Sequence, residues 1–85
     1  IAELMELVEE VAFQRLDQRL AKLLLAKAGV IHATHQHLAE ELGSVREIVS
    51  RLLKGFAAQG LVMLAREQIT VIDRTGLQQV AEINR

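Results

Sequence analysis

A single glycine, Gly43, separates two helical patterns in the segment HQHLAEELGSVREIVSRLLK, residues 35–54. Before it, Leu38 and Leu42 are four residues apart and therefore share one face of a helix, with the small Ala39 beside them. Glycine adopts the left-handed conformation that often ends a helix at little cost, whereas a β-branched residue there costs much more. The segment therefore predicts two helices joined by a short turn, with Ala39 allowing a close crossing.

The helix predicted after the glycine, over residues 45–58, has one polar and one apolar face. At about 100° per residue, five polar side chains fall within roughly 140° of each other. They are Arg46, Glu47, Ser50, Arg51 and Lys54. The complementary arc holds Val45, Ile48, Val49, Leu52, Leu53 and Phe56. This build is typical of a DNA-binding helix-turn-helix, and an ordinary pair of packed helices explains the same spacing equally well.

Polar residues predict where the two helices begin. Thr34 is expected to cap the first. Ser44 followed by Glu47 fits a capping box, in which the serine oxygen accepts a backbone N–H and the glutamate reaches back to the cap. Glu47 would then have two roles, capping its helix and accepting a hydrogen bond from a cytosine amino group, and we expect it to exchange one for the other on binding.

The N-terminal third of the chain predicts a long helix. Neither glycine nor proline interrupts the pattern from Ala2 to about Ala28, which fits one long helix or two helices joined by a bend near Ala12 and Phe13. Gly29 is expected to end it. Its first apolar residues are spaced as in a coiled coil, although a core-facing surface is the favoured explanation of so short a pattern. They are Ile1, Leu4, Val8 and Val11.

The remaining segments predict strands and a last helix. Residues 30–33 form a candidate strand, Gly60 is expected to stop the second helix, and the runs 61–64 and 69–72 predict a β-hairpin. Asp73 is expected to cap a short helix. That helix runs through Leu77, Val80, Ala81 and Ile83.

The order of these elements predicts a winged helix-turn-helix, a mainly α fold with a three-helix core and a β-hairpin wing. In this fold the wing packs beside the recognition helix, and its tip can reach a neighbouring phosphate. Arg66 and Gln68 are the candidates for that contact, and a solvated loop explains them equally well.

Composition limits the functions open to the chain. Its 85 residues, 51% of them hydrophobic, suit one small domain. There is no cysteine, which suits a reducing cytoplasm. No apolar run approaches the roughly 20 residues of a membrane span, and the acidic start is unlike a signal peptide. We therefore expect a cytoplasmic protein without membrane contact, and, since the chain begins at Ile1, a piece of a longer polypeptide.

Charge is unevenly distributed along the chain. The net charge of −1 argues against a simple basic nucleic-acid binder, because phosphate neutralisation supplies most non-specific affinity. However, residues 1–41 carry seven acidic and four basic side chains (net −3), whereas residues 42–85 carry four acidic and six basic ones (net +2). The positive half contains the candidate recognition helix.

An enzyme is the least favoured interpretation. The sequence has no cysteine, no Gly-rich phosphate loop and no carboxylate pair placed for a cleft. Three histidines, His32, His35 and His37, lie close together in sequence, but the last two are about 200° apart around a helix and cannot converge on one ion. We expect no metal or cofactor in this domain, and histidines that are solvated or face phosphates.

These residues resemble the DNA-binding domain of the Crp-Fnr family, the regulators related to the cyclic-AMP receptor protein and the fumarate and nitrate reduction regulator. The resemblance spans residues 13–82. Its most specific parts are RLAKLLL at residues 19–25 and LAEELGSVREIVSRLLK at residues 38–54, followed by the glycine, the hairpin and Asp73. The hairpin tip, ARE followed by glutamine, lacks the glycine that many members carry.

The resemblance implies a domain organisation and a set of partners. Residues 13–85 would form the winged helix and residues 1–12 the end of a dimerisation helix, while the effector-sensing domain is missing. The implied partners are double-stranded DNA with a palindromic site, a second copy in the full-length protein, and RNA polymerase. The two half-sites would lie about one DNA turn, roughly 34 Å, apart.

The resemblance also implies roles for single residues. Family members contact bases through a six-residue pattern, in which Arg-Glu is followed by two other residues, then Ser or Gly, then Arg. Arg46, Glu47, Ser50 and Arg51 match this pattern. Both arginines would contact guanine, and the glutamate would contact cytosine. Each good contact favours the correct base over a wrong one by roughly 1 to 3 kcal/mol. The resemblance also implies phosphate contacts at Thr34, His35, Gln36 and Ser44. We expect further phosphate contacts at Lys54 and Arg66.

Two alternatives stay open at this point. A winged helix that binds protein instead of DNA predicts an exposed apolar patch in place of the polar face of the second helix. A degenerate family member would fold without binding DNA.

Overall fold

Four helices and three short strands make up the described part of the chain. The structure is a computed structural model that describes residues 16–27 and 29–82. The elements, in chain order, are α1 (residues 16–27), β1 (Val30–Ile31), α2 (His35–Leu42), α3 (Arg46–Ala58), β2 (Val62–Ala65), β3 (Gln68–Val71) and α4 (Arg74–Glu82). The predicted winged helix-turn-helix is confirmed.

Some predictions concern residues outside this description. They are the coiled-coil spacing and dimerisation helix of residues 1–12, the bend near Ala12 and Phe13, and the contribution of Ile83 to the last helix.

The core lies between the apolar faces of the helices and the inner face of the sheet. Every helix and the central strand contribute large, fully buried side chains to it. These are Leu20, Leu24, Leu38, Val49, Leu53, Ile69 and Leu77. Burying one such side chain stabilises a fold by roughly 1.5 to 3 kcal/mol. The apolar arc predicted for α3 faces this core, except that Val45 is 55% exposed.

The turn between α2 and α3 has the predicted glycine geometry. Gly43 adopts a left-handed φ of 70°. Its N–H donates to the Glu40 carbonyl at 3.3 Å, and the N–H of Ser44 donates to the Ala39 carbonyl at 2.8 Å. This pair of bonds is a Schellman motif, which satisfies the last carbonyls of a helix. Gly60, at φ 77°, ends α3 with the same pair of bonds.

Two predicted N-caps are confirmed. Thr34 Oγ1 accepts a hydrogen bond from the backbone N–H of His37 at 3.0 Å. Asp73 Oδ1 accepts one from the N–H of Gly76 at 2.9 Å. A Cβ at position 76 would lie 2.6 Å from the Leu61 side chain and 2.7 Å from the capping carboxylate, so glycine fits this first turn without any shift of its neighbours.

The capping box predicted at Ser44 and Glu47 is wrong. Helix α3 has Val45 as its N-cap, in extended conformation and without a side-chain hydrogen bond. The reason is that the N–H of Ser44 completes the end of α2, which leaves the serine in the turn, one position too early to cap α3. Among the hydrogen bonds of residues 16–27 and 29–82, none involves the Glu47 side chain, so its predicted exchange of partners has no structural basis.

Replacing Val45 by serine is expected to stabilise the domain by about 1 kcal/mol, because a serine at an N-cap accepts a hydrogen bond that valine cannot. In urea denaturation the midpoint should rise without a change in slope. Ser44→Ala is the matched control and should be nearly neutral. A loss of about 1 kcal/mol in that control would place the cap at Ser44 after all.

The sheet has three antiparallel strands with β3 in the centre, in the order β1-β3-β2. The hairpin is confirmed, shifted by one residue from its predicted limits, and the candidate strand at residues 30–33 reduces to Val30–Ile31. The hairpin tip is Arg66 and Glu67, since Ala65 pairs with Gln68. Glu67 adopts φ 54°, the left-handed conformation in which a glycine would be less strained.

No helix in residues 16–27 or 29–82 combines the length and apolar character needed to cross a membrane.

Candidate nucleic-acid interface

The polar face of α3 is exposed as predicted. Four of its five side chains are exposed and Ser50 is half-buried. On the opposite face Val49, Leu52, Leu53 and Phe56 are buried, which fixes the rotation of the helix about its axis. With the first residue of α2, the polar face lines one concave surface. Its lining residues are His35, Arg46, Glu47, Ser50, Arg51 and Lys54.

A second concave surface connects this face to the wing. It is lined by the start of α2, by α3 and by the hairpin tip. The lining residues are Thr34, His35, Gln36, Arg46, Ser50, Ala65, Arg66 and Glu67. The fold therefore brings the predicted base-contacting residues next to most of the predicted phosphate-contacting ones. Ser44 is the exception, half-buried in the turn and absent from the lining of both surfaces.

The first turn of α2 favours an anion. Its free backbone N–H groups and the positive end of the helix dipole point in one direction, and no acidic residue lies in this turn. The Thr34 oxygen accepts a hydrogen bond from the helix, which leaves its hydroxyl hydrogen available to a ligand. Gln36 is exposed, and its Nε2 donates to Glu40 Oε2 at 3.3 Å.

His35 and Ser50 form a contact that the sequence did not predict. The distance between His35 Nδ1 and Ser50 Oγ is 2.7 Å, and both side chains are partly buried. Burial lowers the pKa of His35, and the nearby charges of Arg46 and Lys54 lower it further, so the ring is neutral at neutral pH. The two residues are 15 positions apart, so their contact follows from the crossing of α2 over α3 and has no local sequence signal.

The wing contributes Arg66 and not Gln68 to its tip. Arg66 is exposed in the two-residue turn, whereas Gln68 is the first residue of β3 and half-buried. The prediction that both lie at the tip is therefore wrong for the glutamine, because strand pairing extends to it. Gln68 borders a further surface concavity, which is also lined by His32, His37 and both residues of the tip. Within the described residues no group of three or more metal-binding side chains lies together.

Helix α1 supports the interface from behind. Arg19 Nη2 donates to the Leu42 carbonyl at 2.9 Å, and Lys27 Nζ lies 3.5 Å from Glu41 Oε1. A guanidinium at the C-terminal end of a helix satisfies a free carbonyl and interacts favourably with the helix dipole. Both contacts join α1 to the last turn of α2. Sequence reasoning missed them because the partners lie in different helices.

Comparisons with known proteins agree with this arrangement. Residues 18–80 match the family model of the Crp-like helix-turn-helix domain. The chain is 33% identical to the transcriptional regulator SdrP of Thermus thermophilus, over 96% of this chain and 46% of the relative.

Two solved structures show the same fold. A Crp/Fnr-family regulator from Eubacterium rectale superposes with a TM-score of 0.79 at 33% identity, covering 96% of this chain and 40% of that one. The catabolite activator protein of Thermus thermophilus superposes with a TM-score of 0.70 at 34% identity, covering 94% of this chain and 38% of that one. The chain thus spans less than half the length of each of these relatives.

Proposed function

The chain belongs to the family of Crp-like helix-turn-helix domains, and from this premise we infer that it is the sequence-specific DNA-binding domain of a bacterial transcriptional regulator, with α3 entering the major groove. The observation that carries the proposal is the continuity of the polar face of α3 with the start of α2 and the wing tip. A major groove about 12 Å wide admits one α-helix, and the flanking elements then meet the phosphates on either side.

Three side chains of α3 have the chemistry of base recognition. Arg46 and Arg51 each carry a planar guanidinium that can donate two hydrogen bonds to guanine O6 and N7. Glu47 is exposed and has no capping role, so its carboxylate is available to accept from cytosine N4. Ser50 lies on the same face and, being short, contacts a base edge only where the helix approaches closely.

Phosphate contacts are proposed at both helix starts and at the wing. Thr34, His35 and Gln36 surround the first turn of α2, where an anion is favoured. Ser44 lies next to the first turn of α3, whose N-cap provides no side-chain hydrogen bond and therefore leaves backbone N–H groups for a phosphate. Lys54 and Arg66 supply the flanking positive charge. These contacts would position the domain without selecting a sequence.

The whole protein is proposed to act as a homodimer on a palindromic site, with half-sites about 34 Å apart. Pairing two domains would double the contacts with DNA and thereby offset the weak electrostatic attraction of a single domain to the phosphates. We further propose that the domain binds DNA without a cofactor, acts on the chromosome and hence in the cytoplasm, and carries out no catalysis. RNA polymerase is the proposed protein partner of the complete regulator.

The protein-binding alternative is less well supported. It predicts an apolar patch on the exposed face of α3. The large hydrophobic side chains that are exposed in the described chain are Val30, Val45, Met63 and Ile72. Of these only Val45 adjoins α3, and it is the N-cap, which precedes the polar face of the helix. The face itself is polar, which favours DNA.

Selection from a random duplex pool tests the proposed function directly. We expect the chain to enrich one sequence, and we expect Lys54→Ala to weaken binding to all duplexes about equally while reducing the salt dependence by about one counterion. Lys22→Ala, an exposed lysine on α1, is the matched control. It should lower affinity only slightly, through net charge, and leave the salt dependence nearly unchanged.

Failure to enrich any sequence at low salt would refute the proposal. If Lys54→Ala instead altered the preference at one base pair, Lys54 would be a base contact and its phosphate role would be wrong.

A further inference from the structure

The bond between His35 and Ser50 connects a residue proposed for phosphate contact to one proposed for base contact. With 2.7 Å between Nδ1 and Oγ, one of the two atoms must donate a hydrogen to the other. A serine hydroxyl has one hydrogen and two acceptor lone pairs. What Ser50 can still offer to DNA therefore depends on whether His35 takes that hydrogen.

The two protonation states of His35 leave Ser50 with opposite hydrogen-bonding roles. In the neutral ring with its hydrogen on Nε2, Nδ1 accepts the only hydrogen of Ser50, which leaves the serine as an acceptor. In the charged ring Nδ1 carries a hydrogen and donates it to Ser50 Oγ, so the serine hydrogen is released to donate elsewhere.

We propose that His35 is a specificity-determining residue whose protonation converts Ser50 from a hydrogen-bond acceptor to a donor at the base edge. The proposal rests on the proposed function, since Ser50 must face a base. As an acceptor, Ser50 favours the amino groups of cytosine and adenine. As a donor, it favours guanine O6 or N7, thymine O4 and adenine N7, so adenine suits both states and cytosine suits only the acceptor.

The groups around His35 set when this change occurs. From α3, Arg46 and Lys54 face it, and Glu47 and Arg51 line the same concavity. The hairpin tip adds the oppositely charged pair Arg66 and Glu67. On α2 itself the carboxylate of Glu40 is bonded to Gln36, the residue that follows His35.

These surroundings couple protonation of His35 to DNA binding. In the free protein, burial together with Arg46 and Lys54 holds the pKa of His35 below its usual value. A phosphate at the start of α2 would add negative charge beside the ring and favour the imidazolium. Binding would therefore take up a proton, and affinity would rise as the pH falls through the usual range of histidine titration.

Selection at two pH values tests the proposal. The 85-residue chain is incubated with a random duplex library at about pH 5.5 and about pH 8, which bracket histidine titration. The base pair facing Ser50 is the position whose preference disappears in Ser50→Ala. At that position we expect cytosine, whose major-groove edge offers only a donor, to be favoured at the higher pH. Guanine or thymine, whose edges offer only acceptors, should be favoured at the lower pH, with relative affinities changing about fivefold.

His35→Asn separates the protonation from the contact. The asparagine amide occupies the place of Nδ1 and can still bond to Ser50, but it does not titrate, so the base preference should become independent of pH. His37→Asn is the matched control, an exposed histidine on the same helix, and should retain the change. Circular dichroism at both pH values verifies folding, because the lowered pKa of His35 makes the fold less stable as the pH falls below the usual histidine pKa.

The outcomes distinguish this inference from the function on which it rests. If the wild-type chain selects no sequence at either pH, the proposed function fails. If it selects a sequence and the preference at the Ser50 position is the same at both pH values, only the present inference fails, because the bond between His35 and Ser50 would then keep one direction throughout. A pH-dependent preference that survives in His35→Asn would also overturn it.

Discussion

Replacing Arg51 by alanine is expected to remove recognition of the selected DNA site while leaving the fold intact. Arg51 is exposed, and among the described residues its side chain makes no hydrogen bond or ion pair, so the fold loses nothing when it is truncated. The lost bidentate contact with guanine should cost roughly 1 to 3 kcal/mol in each domain. Fluorescence anisotropy with the selected duplex would measure a loss of about 5- to 150-fold for one domain.

Arg74→Ala provides a control with the same change in charge. Arg74 is an exposed arginine at the start of α4, and it lines neither concavity of the interface. Its truncation should lower affinity only slightly, through net charge, and that loss should vanish at higher salt. Retention of the selected affinity in Arg51→Ala would refute the assignment, and an equal loss in the two variants would reduce Arg51 to a general electrostatic role.

The features that sequence predicted well depend on neighbouring residues. The Thr34 cap, the Gly43 turn and the Asp73 cap each involve residues within five positions of each other, so local chemistry decides them. The two faces of α3 were also predictable, because a helix repeats its faces every 3.6 residues and the polar arc of this one contains no apolar residue larger than alanine.

The start of α3 shows why local signals can still fail. Two local motifs use the backbone N–H of Ser44. At the end of α2 it donates to a helix carbonyl, and in a capping box for α3 it would donate to the Glu47 carboxylate. In the structure the N–H of Ser44 donates to the Ala39 carbonyl, as in a Schellman motif, and Val45, a residue type that caps poorly, is the N-cap of α3. The sequence contained both signals without ranking them.

The remaining features depend on contacts between distant parts of the chain. Strand β1 exists because Val30 and Ile31 pair with Thr70 and Ile69, about forty positions away in sequence. The contact of His35 with Ser50 likewise requires the crossing of two helices. The sequence therefore predicted which residues lie on the exposed polar face of α3 but not how these residues constrain one another.

Truncating Leu53 to alanine should lower the stability of the fold and leave the DNA affinity of the folded protein unchanged, whereas truncating Arg51 should do the reverse. Leu53 is fully buried on the core side of α3, two positions from Arg51 in sequence and on the other face. Removing its side chain leaves a cavity and should destabilise the domain by roughly 3 kcal/mol. A domain of this size is stable by only about 4 to 13 kcal/mol, at roughly 0.05 to 0.15 kcal/mol per residue. Urea denaturation should show a large fall in the midpoint.

Met63→Ala is the control for apolar truncation, because Met63 is 59% exposed on the outer face of the sheet. Its truncation should lower the free energy of unfolding by less than about 0.5 kcal/mol. DNA affinity of Leu53→Ala, corrected for its folded fraction, should stay near that of the wild type, since the Leu53 side chain is buried and does not reach the polar face of α3. A loss of affinity beyond the unfolded fraction would mean that core packing sets the position of α3 in the groove. A destabilisation below about 1 kcal/mol would contradict the burial of Leu53.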